Sequence, residues 1–193
     1  MAGRPKEFDE TEVLEKAMEL FWKQGYAATS TADLVRVLGM NKGSLYNTFV
    51  SKKHLFIRAM DTVEGQFMRA FEARLNAAKN PVVLIAEFFT SIPDEPKHIQ
   101  MNGCFMGNTI AESSNVDPEL EECARRHLAE FKRIFEAQIK RAQKDGHIKN
   151  QTPAEMLALH LINLWNGVNL TRRLKSDTKE LKTLIEMNLA VLN

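Results

Sequence analysis

Apolar residues recur along this chain every three to four positions, and alternating strand patterns bracketed by turn dipeptides are absent, so the pattern predicts an all-α fold of about nine helices. Val13, Leu14, Ala17, Leu20 and Phe21 form the inward stripe of a first helix, which Asp9 opens, with Glu12 three residues on as a capping box, and Gly25 ends. Ser30 with Asp33 opens a second helix carrying Leu34, Val37 and Leu38; it stops at Gly39, where a positive φ costs glycine least. Asn41 starts a short third helix with Leu45 and Phe49 turned inward. Ser51 caps a longer fourth, in which Leu55, Phe56, Ala59, Val63, Phe67 and Phe71 repeat at helical spacing to about Ala78.

Beyond the fourth helix the signals change character. Asn80-Pro81 restarts a helix to about Ser91, and Ile92 to Pro96 reads as a loop because its two prolines cannot continue one. Asn102 to Glu112 reads as helical despite Gly103 and Gly107. Asp117-Pro118 begins a helix that carries Leu120, Ala124, Leu128, Phe131, Phe135 and Ile139 towards Gly146. Thr152-Pro153-Ala154-Glu155 combines an N-cap, a proline at the first helical position and a capping glutamate; that helix runs to about Leu174, and Ser176 or Asp177 begins a last one through Leu192. There is no internal repeat or low-complexity tract. The fourth helix bridges two expected domains, residues 1–58 and 59–193.

Charge changes this picture through its distribution. The 26 Lys and Arg against 25 Asp and Glu leave a formal net charge of +1, which gives no polybasic signal. Yet Leu34 to Met60 holds five bases and no acid, on two short amphipathic helices hinged at Gly39. A helix-turn-helix with a cationic face on a near-neutral protein points to site-specific binding of duplex DNA rather than general coating. Hydrophobic content of 44% suffices for a buried core, no apolar run approaches the ~20 residues that span a bilayer, and the N-terminal residues lack the apolar segment of a signal peptide, so a cytoplasmic location is expected. Cys104 and Cys123 make neither a disulfide framework nor a zinc site, and five scattered histidines argue against a metal sensor, so no metal or cofactor is expected.

A helix entering the major groove needs small residues where backbones approach, polar groups for base edges, and cations or hydroxyls for phosphates. Asn41 to Asn47 supplies all three within two turns: Lys42, Ser44, Tyr46 and Asn47 project outward around Gly43. Thr29 and Ser30 at one helix start and Lys52 at another are placed to clamp phosphates. Arg4 and Lys6, on an arm preceding the first helix, can enter the neighbouring minor groove. Bare helix-turn-helix geometry also occurs as plain scaffold, with Tyr46 a packing residue and Lys53 a solvated neighbour of Lys52.

The arm G-R-P-K-E-F-D, then T-S-T-A-D-L, L-G-M-N-K-G-S-L-Y-N-T-F and S-K-K-H-L-F at these intervals, resembles the TetR family of bacterial transcription repressors over residues 3 to about 58. That resemblance implies an N-terminal three-helix DNA-binding domain, a larger helical ligand-binding domain, and dimerisation through the last two helices. It also places Thr29, Lys42, Gly43, Ser44, Tyr46, Asn47 and Lys52 at DNA-contacting positions. Met40 and Asn41 stand where valine and serine are commoner in that family. The segment from Asn102 to Glu112 is similar to a G-C-x-x-x-N-x-x-x-E segment in a branch that includes electrophile-responsive repressors, which would make Cys104 the sensor. Read from the residues alone, a lone cysteine among apolar neighbours is more often core, with no base adjacent in sequence.

An effector pocket could draw on Cys104, Phe105, Asn108, Glu112, Phe131, Phe135, Trp165 and Asn166, although apolar residues at helical spacing are more often simply core. Leu157, Leu161, Leu164 and Val168, with Leu181, Leu184, Ile185 and Asn188, give the last two helices more apolar surface than a terminal hairpin needs, so they are expected to pair with a second copy in a four-helix interface. The expectation is a homodimeric transcription repressor that recognises a near-palindromic operator and is released by a small organic or electrophilic effector, with the fourth helix as the coupling route. The rival is a helical small-molecule-binding protein or enzyme without a DNA role, although no nucleophile-base pair, phosphate loop or acid/base pair has recognisable spacing.

Overall fold

The structure, a computed structural model, describes residues 9–174 and 177–193, and the described residues contain helices and connections but no strand. Ten α-helices follow in order: α1 (Glu10–Gln24), α2 (Thr31–Leu38), α3 (Lys42–Phe49), α4 (Lys52–Ala77), α5 (Pro81–Ser91), α6 (Lys97–Asn102), α7 (Phe105–Ser113), α8 (Pro118–Lys144), α9 (Ala154–Thr171) and α10 (Thr178–Leu189). No helix among the described residues is long and apolar enough to cross a membrane.

The boundaries follow local chemistry, with four departures from the sequence expectation. Ser30 and Asp33 form both arms of their capping box, and Asn41 Oδ1 accepts from Ser44 N at 2.8 Å to start α3. At α1, by contrast, Asp9 caps alone by accepting from Thr11 N at 2.9 Å. The Glu12 carboxylate is taken by Lys16 at 2.6 Å, so the expected box does not close. Thr152 and Pro153 do not form a side-chain cap either: Pro153 stands at the N-cap, one position before that expected, and Glu155 pairs with Lys132 at 3.0 Å.

The third departure is the expected single helix from Asn102 to Glu112, which is broken. Gly103 lies at φ 68, and the Arg173 guanidinium occupies the space its Cβ would need, so α6 ends there and α7 restarts at Phe105. The fourth lies just upstream, where Ile92–Asp94 close a 3₁₀ turn rather than an open loop.

The chain divides into two compact units, one ending at residue 66 and joined by 109–124, the other formed by 67–108 and 125–193; α4, α7 and α8 each run from one into the other. In the first unit Leu14, Ala17, Phe21, Leu34, Leu45, Phe49, Leu55 and Phe56 are buried, and Phe56 meets Phe21 edge-on at 4.9 Å between ring centres. Cys123, on α8, is buried in this unit with its Sγ 3.6 Å from Met60 Sδ. The second unit is built on an aromatic stack: Phe131 lies 4.6 Å from Phe135 and 5.6 Å from Trp165, and Phe88 stacks on Trp165 at 5.4 Å.

Candidate functional site

In α3, Leu45 and Phe49 are buried, as is Leu34 of α2, which leaves the opposite face of two helical turns to solvent. Lys42, Gly43 and Asn47 are exposed on that face, and Ser44 and Tyr46 are half-buried beside it. The helix is tied to α2 by a hydrogen bond between Tyr46 Oη and Thr31 Oγ1 at 2.7 Å. The Ser30 hydroxyl and amide hold the Asp33 carboxyl below the usual carboxylate range, which keeps the α2 cap ionised and closed. Thr48 returns its hydroxyl to Ser44 O at 2.9 Å, so α3 offers solvent a small, rigid, polar surface with a cation at its first turn.

Two residues expected beside phosphates have other work. Thr29 is fully buried and donates its hydroxyl to Gly25 O at 2.6 Å, closing the α1–α2 corner, so it cannot reach a ligand. Lys52 Nζ donates to Tyr26 O at 2.8 Å and Thr29 O at 2.9 Å, and lies 4.3 Å above the Tyr26 ring, so its charge is spent on the same corner. Ser30 is exposed at the α2 N-terminus. Lys53 is engaged by Asp117 and Glu119 at 3.2 and 3.1 Å, which hold its ammonium charged beyond the ordinary lysine range. Arg4 and Lys6 lie outside the described residues.

In the second unit, Cys104 is buried and stands at the N-cap of α7, where its backbone oxygen accepts from Asn108 N at 2.9 Å. Two donors converge on its sulfur: the Trp165 indole Nε1 and Gly107 N, each at 3.2 Å. Arg173 packs on the same turn, donating to Asn102 O and, at 3.1 Å, to Asn108 Oδ1. A cation therefore stands where the sequence shows none, brought there from 65 residues away. Asn166 abuts Gly107, 3.3 Å from the place a Cβ would take, so Cys104, Asn108, Trp165 and Asn166 do come together.

Phe131 and Phe135 are fully buried and Phe105 nearly so; these are core residues, with no free face for an effector. Open space lies elsewhere. A cavity of about 310 Å³ between α4 and α5 is lined by Phe67, Phe71, Leu84 and Phe88, with Arg74 and Glu87 supplying both signs of charge. Glu112, expected near an effector, belongs to the first unit, where its carboxylate accepts from Tyr26 N and Ala27 N.

The expected dimer stripe also needs correcting. Leu157, Leu161, Leu164, Val168, Leu181 and Ile185 are all buried within the protomer, while Leu184 is exposed and Asn188 half-buried. The free apolar face is the neighbouring stripe, Met156, Leu159, Leu170 and Leu174 on α9 and the turn after it, with Leu184 and Met187 on α10. Gly167 sits within it, with nothing within 4 Å of its Cβ position.

Comparison with known proteins places both ends of the chain. Residues 13–59 match the family described as bacterial regulatory proteins, tetR family, and residues 84–187 match the tetracyclin repressor-like C-terminal domain. The HTH-type transcriptional repressor ComR of Escherichia coli (strain K12) is 32% identical over 178 residues, covering 89% of this chain and 82% of ComR. Among solved structures, a cysteine mutant of the regulator CifR complexed with 26-base-pair operator DNA superposes with a TM-score of 0.81 at 24% identity, covering 98% of this chain and 100% of that one. The reduced form of E. coli NemR superposes with a TM-score of 0.83 at 16% identity, covering 96% and 98%.

Proposed function

This chain belongs to the TetR family of bacterial regulatory proteins, a family of DNA-binding transcription regulators rather than enzymes, and from that membership we propose how its own residues carry the regulation. The protein is a cytoplasmic homodimeric repressor whose α3 enters the major groove of a near-palindromic operator. The observation that carries this reading is the solvent face of α3, where Lys42, Gly43 and Asn47 are exposed over a fully packed underside.

Lys42 pairs with a phosphate or a guanine edge, Asn47 offers the bidentate amide that suits adenine, and Gly43 admits close approach of the backbone. Ser44 and Tyr46 contribute hydroxyls from beside that face. The Met156–Leu170–Met187 stripe meets its copy in a four-helix interface, and Gly167 lets the helices approach closely. Two-fold pairing then sets the two reading helices about 34–36 Å apart or a multiple of it.

Release follows from the second unit. The α4–α5 cavity suits a small organic molecule with an apolar body and a polar end. The two N–H donors on Cys104 Sγ, at a helix N-terminus beside Arg173, make a setting suited to attack of that sulfur on an electrophilic carbon, with the thiol proton passing to solvent. Either event favours a state of the dimer whose heads are misplaced for the operator. Fluorescence anisotropy on the duplex upstream of the protein's own gene tests this. Tight binding with a steep salt slope, weakened by Lys42→Ala and Asn47→Ala and reversed by an electrophile in the wild type but not in Cys104→Ser, is expected. Indifference to that duplex and to every neighbouring intergenic duplex would dismiss the regulator reading; reversal that survives Cys104→Ser would dismiss the thiol.

A further inference from the structure

The corner between α1 and α2, residues 25–29, has one apolar anchor, the half-buried Tyr26 ring, which meets Phe56 edge-on at 5.2 Å between ring centres, while Ala27 and Ala28 are exposed. The backbone around that anchor is held by polar contacts. The Gly25 carbonyl accepts from the Thr29 hydroxyl, and the carbonyls of Tyr26 and Thr29 accept from Lys52 Nζ. Two amide donors at the turn, Tyr26 N and Ala27 N, point at one residue far away in sequence: Glu112 Oε2 accepts from Tyr26 at 3.0 Å and Oε1 from Ala27 at 2.7 Å, across 86 and 85 residues.

The carboxylate sits so close that a Cβ on Gly25 would lie 3.2 Å from Oε2 and 3.3 Å from Oε1, and Gly25 is further required by its φ of 84. Each carboxylate oxygen takes one amide, which fixes the corner along two directions. The corner leads directly into the Ser30 cap of α2, and Thr31, the first residue of α2, holds Tyr46 of α3 at 2.7 Å. A displacement of the corner therefore passes to α3 through covalent chain and one hydrogen bond.

We propose that Glu112 is the positioning residue through which α7 sets the attitude of the reading helix: its carboxylate clamps the α1–α2 corner, and withdrawal of that carboxylate moves α2 and α3 out of the DNA-reading arrangement. The proposal rests on the reading of α3 as the DNA-contacting helix. Glu112 is solvent-exposed, so water can replace it at the two amides, and the clamp opens at small cost. α7 itself starts from the Cys104 cap, so any event that shifts this helix along its axis draws Glu112 with it. The bond is thus placed to be broken by regulation, unlike the buried contacts of Leu34, Leu45 and Phe49 beneath the same helices.

Glu112→Ala removes both acceptors, and Glu112→Gln keeps one oxygen while turning an amide NH2 donor against the second N–H. In the full-length protein, Glu112→Ala is expected to weaken operator binding by about tenfold while leaving affinity for a scrambled duplex nearly unchanged, with Glu112→Gln intermediate. Without DNA, amide hydrogen exchange at Tyr26 and Ala27 should quicken in both variants, and the α3 amide resonances of Ser44, Tyr46 and Asn47 should shift while the unfolding temperature stays within a few degrees. Operator affinity equal to wild type in Glu112→Ala overturns the proposal. So does equal weakening on operator and scrambled duplex, which would mark a merely structural role. If no duplex is bound by the wild type, the DNA reading fails separately, and the amide measurements still decide the clamp: unmoved α3 resonances dismiss it.

Discussion

Two exposed surfaces of this protein rest on equally well-packed undersides but differ in chemistry. On α3 the exposed residues are a lysine, a glycine and an asparagine over buried Leu45 and Phe49; on α9 and α10 they are Met156, Leu159, Leu170, Leu184 and Met187 over buried Leu157, Leu161, Leu164 and Ile185. Rigidity is common to both, so it is the chemistry of each face that selects its partner. A small polar face with a cation is complementary to a base edge and its flanking phosphates, whereas an apolar stripe with a glycine at its centre is complementary to another helix. In the proposed dimer neither surface is complete on one protomer: the polar face would span one half-site, and pairing through the apolar face would double it.

Breaking the apolar face should have the largest effect. Leu170→Glu puts a charge in the centre of the stripe, and the protein should sediment as a monomer; because the second half-site then loses its tethered partner, operator affinity should fall by about a hundredfold or more. A dimer that persists in this variant would move the interface elsewhere. Next come the polar contacts. Asn47→Ala should cost about 1–3 kcal/mol on the operator and relax specificity at one position per half-site, while Lys42→Ala should also reduce the salt slope, both read by anisotropy at several salt concentrations.

Smaller still is the tie beneath the polar face. Tyr46→Phe removes the hydrogen bond to Thr31, and a double-mutant cycle with Thr31→Val should show a coupling of about 1 kcal/mol in operator binding. The smallest effect concerns neither partner directly. Val50, β-branched and exposed between α3 and α4, is held at φ 62, so Val50→Gly should raise the unfolding free energy by roughly 0.5–1 kcal/mol without changing DNA specificity.

The same contrast explains what could be read from the sequence. The α3 region announces itself locally: Ser30 and Asp33 close a box three residues wide, Asn41 caps its own helix, Gly39 marks the hinge, and Leu34, Leu45 and Phe49 fall inward at helical spacing. α9 is apolar nearly all round, so periodicity offers two stripes and cannot say which one the protomer keeps for itself. The buried stripe Leu157–Leu161–Leu164–Val168 looked like the interface for that reason. Thr29 and Lys52 misled in another way, since hydroxyl and ammonium beside a helix start serve a turn as readily as a phosphate. Arg173 on the Cys104 turn and Glu112 on the α1–α2 corner left no local trace at all, because their partners lie 65 to 86 residues away.

Two copies of α3, set by the apolar face, are proposed to read two half-sites at a fixed spacing. Anisotropy titration against the operator and against the same operator lengthened by about five base pairs, half a helical turn, between its half-sites tests it most directly. Tight binding to the first is expected, with a collapse to non-specific affinity on the second, where one half-site faces away from its reading helix. Equal affinity for both duplexes would contradict it.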